Sequence, residues 1–123
     1  MLIVLWLINA VLSLLFLSVG TMKIVRPKAA LMAAGMNWTE NTAPLLIKAV
    51  GLVELLGGLG LFLPLATGTA TLLAPTAALG LSLTMLGAVT IHLRRKESFL
   101  APAILCALCV VSAFLGFAVL ENY

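Results

Sequence analysis

Residues 45–66 read LLIKAVGLVELLGGLGLFLPLA, and the fold is decided there. About 20 helical residues cross the roughly 30 Å hydrocarbon core of a bilayer. This stretch reaches that length with nine leucines against one lysine and one glutamate. An isolated carboxylate at mid-span costs roughly 2.5 to 3.5 kcal/mol on insertion scales, which the leucines outweigh. Glu54 is therefore the most informative residue of the chain. At about 100° per residue, Gly51, Glu54 and Gly58 fall within about 60° of one another, so the carboxyl lies along a glycine stripe that a second helix can approach closely. The acid is predicted to face the interior of a bundle. It serves there as a proton-handling or ligand-binding group, or as a neutral hydrogen-bonded link between helices.

Working outward, three further windows have the length and apolarity to span: Leu2 to Met22, Thr69 to Leu93 and Phe99 to Leu120. Pro64, Gly68 and Pro75 punctuate the boundary between the second and third, and Pro75 is an alternative start for the third helix. With 63% hydrophobic and 9% charged residues over 123 positions, a soluble fold of this size has nowhere to hide its apolar surface. The prediction is all-α: a single domain over residues 1–123, an integral membrane bundle of four transmembrane helices. Between helices one and two, Pro27 at a first-turn position and Gly35 at a C′ position bracket Lys28 to Ala34 as a short interfacial helix. Trp38 suits an interfacial anchor. Because the apolar run from Met1 continues to Met22 with no basic leader region and no cleavage-site pattern, it reads as a retained helix.

The net charge of +3 does not point to nucleic acid, since the basic residues cluster between apolar runs, where a membrane surface is the natural partner. Lys23, Arg26, Lys28 and Lys48 flank the first connection, and Arg94, Arg95 and Lys96 form the third. With four spans these connections share one side. Basic loops resist translocation, so that side is expected to be cytoplasmic, which places both termini outside a multi-pass protein of the cell membrane.

Other groups could carry chemistry. Lys48 lies about 60° to the other side of Gly51 and roughly 9 Å along the axis from Glu54. It can share a cavity with the acid, without pairing to it directly along the same helix, or snorkel to the surface. His92 ends the third span before Arg94-Arg-Lys-Glu97, where it can exchange protons near neutral pH or sit beside lipid phosphates. A single histidine rules out a bis-histidine haem or a histidine-rich metal site within one subunit, and no metal site is predicted. Cys106-Ala-Leu-Cys109 has redox-motif spacing but sits inside a helix without a second pair to relay electrons, so the cysteines read as small packing residues. Asn9, Ser13, Ser82, Thr84 and Thr90 read as interhelical hydrogen-bonding groups.

The order of these residues carries a resemblance. Phe16…Gly20-Thr-Met-Lys23-Ile24 closes the first helix, and Gly51-Leu-Val-Glu54-Leu-Leu-Gly57 with Gly60-Leu61 lies in the second. Pro75-Thr-Ala-Ala-Leu-Gly80-Leu…Met85-Leu-Gly87-Ala88…His92…Glu97 runs along the third. Over about residues 10–100 the chain resembles the DoxX-like family. The resemblance implies a four-helix membrane protein and carries over Lys23, Glu54, His92 and Glu97 as shared positions. It also implies an association with thiosulfate:quinone oxidoreductase, oxidative-stress complexes, detoxification of quinone-like compounds, or assembly of other membrane proteins.

The expected function is binding of a lipophilic small molecule, quinone-like or another hydrophobic metabolite, within the bundle. Glu54 and His92 handle protons in a redox or isomerisation step, and Lys23, Lys48, Gly51, Gly58 and Glu97 line the ligand site. Two other classes stay open: a non-catalytic subunit or assembly partner of an oxidoreductase complex, and a small proton-coupled transporter that needs a dimer to enclose a path. Neither cofactor nor oligomeric state follows from the sequence.

Overall fold

The computed structural model describes residues 2–120. Five α-helices follow one another: α1 (Leu2–Val25), α2 (Lys28–Ala33), α3 (Pro44–Thr67), α4 (Leu73–Arg94) and α5 (Leu100–Leu120), with a 3-10 turn at Asn37–Asn41 between α2 and α3. No strand occurs among the described residues. Helices α1, α3, α4 and α5 are long and apolar enough to cross a membrane.

The ends follow local chemistry. Pro27 is the N-cap of α2, and Gly35, at φ +97°, turns the chain after it. Pro44 occupies the first turn of α3, where a missing N–H leaves no helical bond unmade. Pro64 lies inside α3 rather than ending it, giving up only the bond to the carbonyl one turn back. Helix α4 begins at Leu73, between the two starts expected from sequence, because Pro75 fits the third helical position, whose N–H has no intrahelical partner in any case.

Helix α1 packs on α3, α3 on α4, α4 on α5, and α5 returns to α1, closing a four-membered ring. Along α1 the stripe Leu5, Asn9, Leu12, Phe16, Gly20 and Lys23 turns inward, while Ile3, Leu7, Val11 and Leu14 face outward. The outward face is as apolar as the inward one, so small and polar residues rather than hydrophobicity mark the packed side. The Asn9 side-chain amide donates to the Leu61 carbonyl at 2.9 Å, and the Ser112 hydroxyl donates to Asn9 Oδ1 at 2.5 Å, tying α1, α3 and α5 together. Ser13 donates to the Gly58 carbonyl at 2.8 Å. Such bonds contribute about 0.6 to 2 kcal/mol each. Ser82, Thr84 and Thr90, also expected to reach between helices, instead donate to carbonyls of their own helix at Leu79, Gly80 and Leu86. A short hydroxyl with no neighbouring acceptor in reach bonds back one turn.

The apolar core is densest from mid-bundle, around Leu12, Phe16, Leu61, Leu81 and Cys109, towards the end holding Leu5, Leu65, Ala74 and Leu115. Towards the opposite end, where α1 finishes and α3 starts, the helices leave space between them.

Candidate functional site

The crossing of α1 and α3 builds the site. A Cβ on Gly20 would lie 2.7 Å from the Gly51 carbonyl oxygen, and one on Gly51 would lie 2.8 Å from the Gly20 carbonyl oxygen. Only glycine at both positions lets the backbones come this close. The helices run antiparallel, so Lys23 lies over Gly51 while Glu54 lies over Gly20. Each charged side chain occupies the room the opposite glycine leaves, and the two ends meet. Lys23 Nζ donates to Glu54 Oε1 at 2.5 Å, with the residues only 7% and 2% exposed. The ammonium also lies 5.2 Å from the centre of the Trp38 ring, a cation–π contact of about 0.5 to 2 kcal/mol. Trp38, expected as an interfacial anchor, thus covers the ion pair from the 3-10 turn.

A cavity of about 680 Å³ opens beside this pair. It lies on the α1 C-terminal side of the place where α3 and α4 touch, at Gly57 against Leu81 and Gly60 against Ala77. Lys23, Thr42, Glu54, Thr84, His92 and Ser98 are the polar residues of its lining, Met36 and Trp38 close one end, and mostly apolar residues of the four long helices make up the remainder. Leu46 and Ile91 line it while also being exposed, so the cavity opens sideways between α3 and α4. Its lining is mostly apolar with a few polar groups, the usual make-up of a ligand site.

The imidazole of His92 forms part of the wall. Its Nδ1 is buried with no hydrogen-bond partner among the described residues and lies 4.0 Å from Glu97 Oε2. Arg95 hydrogen-bonds Glu97 through Nε, and its Nη2 lies 3.9 Å from Glu40 Oε2. This chain of charges ties the α4–α5 connection to the 3-10 turn across one end of the bundle, so the first and third connections meet there.

The residues singled out from sequence therefore separate into groups. Lys23, Glu54 and His92 share the cavity, and Glu97 backs His92 from outside it. Gly51 and Gly58 lie off the cavity, in the α1–α3 contact, where a Cβ on Gly58 would come within 3.1 Å of Leu17. Lys48 is exposed and lines a different depression. Glu54 finds its partner on α1 rather than in Lys48 on its own helix. The repeated spacing of a glycine and a charge three residues later, Gly20/Lys23 and Gly51/Glu54, was the signal: on antiparallel helices it sets the two charges diagonally across one crossing. Cys106 and Cys109 are free thiols away from the cavity. Cys109 is packed in the core, and Cys106 Sγ lies 3.5 Å from the Ser82 carbonyl. No group of histidine, cysteine, aspartate and glutamate suited to a metal ion occurs among the described residues.

A family model described as the DoxX-like family matches residues 7–113. No curated protein and no solved structure matches the chain.

Proposed function

The chain belongs to the DoxX-like family, and on that footing we propose that it is a multi-pass membrane protein whose cavity holds a lipophilic molecule with a quinone-like polar head. The observation that supports this is the largely apolar cavity of about 680 Å³ whose lining includes Lys23, Glu54 and His92. Its sideways opening between α3 and α4 suits a ligand that arrives from within the bilayer. The buried Lys23–Glu54 pair offers the head a hydrogen-bond donor fixed by two helices, and the His92 imidazole in the cavity lining offers a second polar contact. A quinone head that takes two electrons from an external reductant also takes up two protons, one at each carbonyl oxygen. Glu54, through Lys23, and His92 are the groups placed to handle them. In an isomerisation the same groups remove and return one proton. Basic loops resist translocation, so the Lys23–Lys48 and Arg94–Lys96 connections face the cytoplasm, both termini lie outside, and α2 rests on the membrane surface.

Trp38 lines the cavity and Trp6 packs on Phe62 elsewhere, so a Trp6→Phe variant isolates a fluorophore at the site. Titration with a short-chain naphthoquinone in detergent should quench Trp38 saturably. His92→Ala and Glu54→Gln should each weaken the apparent affinity about tenfold, the worth of one charge-assisted hydrogen bond. Linear quenching that is identical in all variants would mean simple partitioning into the micelle and would end the proposal.

A further inference from the structure

At the same end of the bundle lies a second depression, of about 330 Å³, between the end of α1, the start of α2 and the start of α3. Lys23, Arg26, Lys28 and Lys48 line it over a floor that includes Leu31 and Ile47, and no acidic residue does. The cations come from α1, the turn after it, α2 and α3, so the fold gathers them. Two of the four are engaged: Lys23 with Glu54, and Lys28 with the Glu40 carbonyl at 3.4 Å. The Glu40 carboxylate itself turns to Arg95. Arg26 and Lys48 are exposed and have no acidic partner among the described residues. An apolar floor with unneutralised cations above it, where two apolar helices end, has the chemistry of a site for a phosphate group carried on an apolar body.

We infer that this depression binds the phosphate of an anionic phospholipid head, a site separate from the main cavity and sharing with it only Lys23. A head group with its own cation, such as choline, fits less well, because four basic side chains already surround the phosphate. Arg26 and Lys48 supply the free donors, and Leu31 and Ile47 meet the first carbons of the lipid.

The test is native mass spectrometry of the full chain in mild detergent, titrated with phosphatidylglycerol or phosphatidylcholine of matched acyl chains. Phosphatidylglycerol should be retained preferentially. The Arg26→Gln/Lys48→Gln double variant should weaken it roughly 30-fold, at about fivefold per cation near an anionic head. The Arg94→Gln/Lys96→Gln variant removes the same charge at the same end and should leave retention unchanged. Equal losses from both pairs, or no preference over phosphatidylcholine, would reduce the effect to general surface charge and overturn the site. Displacement of the lipid by millimolar inorganic phosphate would uphold the phosphate site and assign it to the free ion, whereas resistance to displacement upholds the lipid. Melting temperatures in the same detergent check folding. Should the double variant unfold, the single variants Arg26→Gln and Lys48→Gln are read instead, at about fivefold each. Trp38 quenching by the naphthoquinone should be unaltered in Arg26→Gln/Lys48→Gln, which separates failure here from failure of the cavity reading.

Discussion

Breaking the Lys23–Glu54 pair from one side should cost far more than removing it whole. At 2.5 Å and an effective dielectric of about 20, the attraction is about 7 kcal/mol. Taking two ions out of water costs several kcal/mol each, so the pair as a unit contributes little net stability. A lone survivor has no such offset. Lys23→Met strands a carboxylate at mid-span and should destabilise by about 3 to 5 kcal/mol. Glu54→Leu should cost less, about 2 kcal/mol, because lysine has a long stem that can carry its ammonium towards the membrane surface. Lys23→Met/Glu54→Leu should fall within about 1 kcal/mol of the parent, since well-packed apolar replacements of buried pairs are often neutral. Reversible unfolding by dodecyl sulfate in mixed micelles gives all four free energies, and the coupling should be at least about 3 kcal/mol. Effects that add to within about 0.5 kcal/mol would show that the two charges do not depend on each other and would refute the reasoning.

Three further outcomes follow from the packing. Gly51→Ala places a methyl 2.7 Å from Lys23 Cβ and 2.8 Å from the Gly20 carbonyl; it should cost about 1 to 3 kcal/mol in the same unfolding assay, and a silent substitution would contradict the close crossing. Cys106→Ala/Cys109→Ala should leave quinone quenching of Trp38 intact and lower stability by no more than about 1.5 kcal/mol, as small apolar replacements do; loss of binding in a folded double variant would give the thiols a role at the cavity. In that cysteine-free background, an impermeant maleimide applied to whole cells should label Gly68→Cys and spare Ser98→Cys, because the proposed orientation keeps the basic connections in the cytoplasm; the reverse pattern would invert that orientation.

Much of the bundle could be read directly because its signals are local. Twenty-residue apolar runs mark the four long helices, and Pro27, Gly35 and Pro44 mark the ends of the first connection through backbone constraints that need no tertiary context. The inward face of α3 was legible as well, since Gly51, Glu54 and Gly58 share a stripe and all three are buried. What was not legible depends on two helices at once. That Lys23 rather than Lys48 meets Glu54 follows from the register of the α1–α3 crossing, fixed by backbone contact at Gly20 and Gly51. The placing of Trp38 over the ion pair depends on how the 3-10 turn folds back. Ser82, Thr84 and Thr90 misled because a hydroxyl in an apolar helix has two ways to be satisfied, across to a neighbour or back along its own turn, and composition does not choose between them.

The most direct measurement of the central claim is mass spectrometry of lipophilic compounds that co-purify with the protein in mild detergent, comparing the parent with Ala88→Trp. Ala88 lines the cavity, so the larger ring occupies space the ligand needs while the Lys23–Glu54 pair remains. The expected result is one hydrophobic metabolite with a polar head, retained near one per chain by the parent and lost from Ala88→Trp, with the two proteins melting within a few degrees of each other. Bulk phospholipid alone in the parent, unchanged by the substitution, would contradict the claim that the cavity is a ligand site.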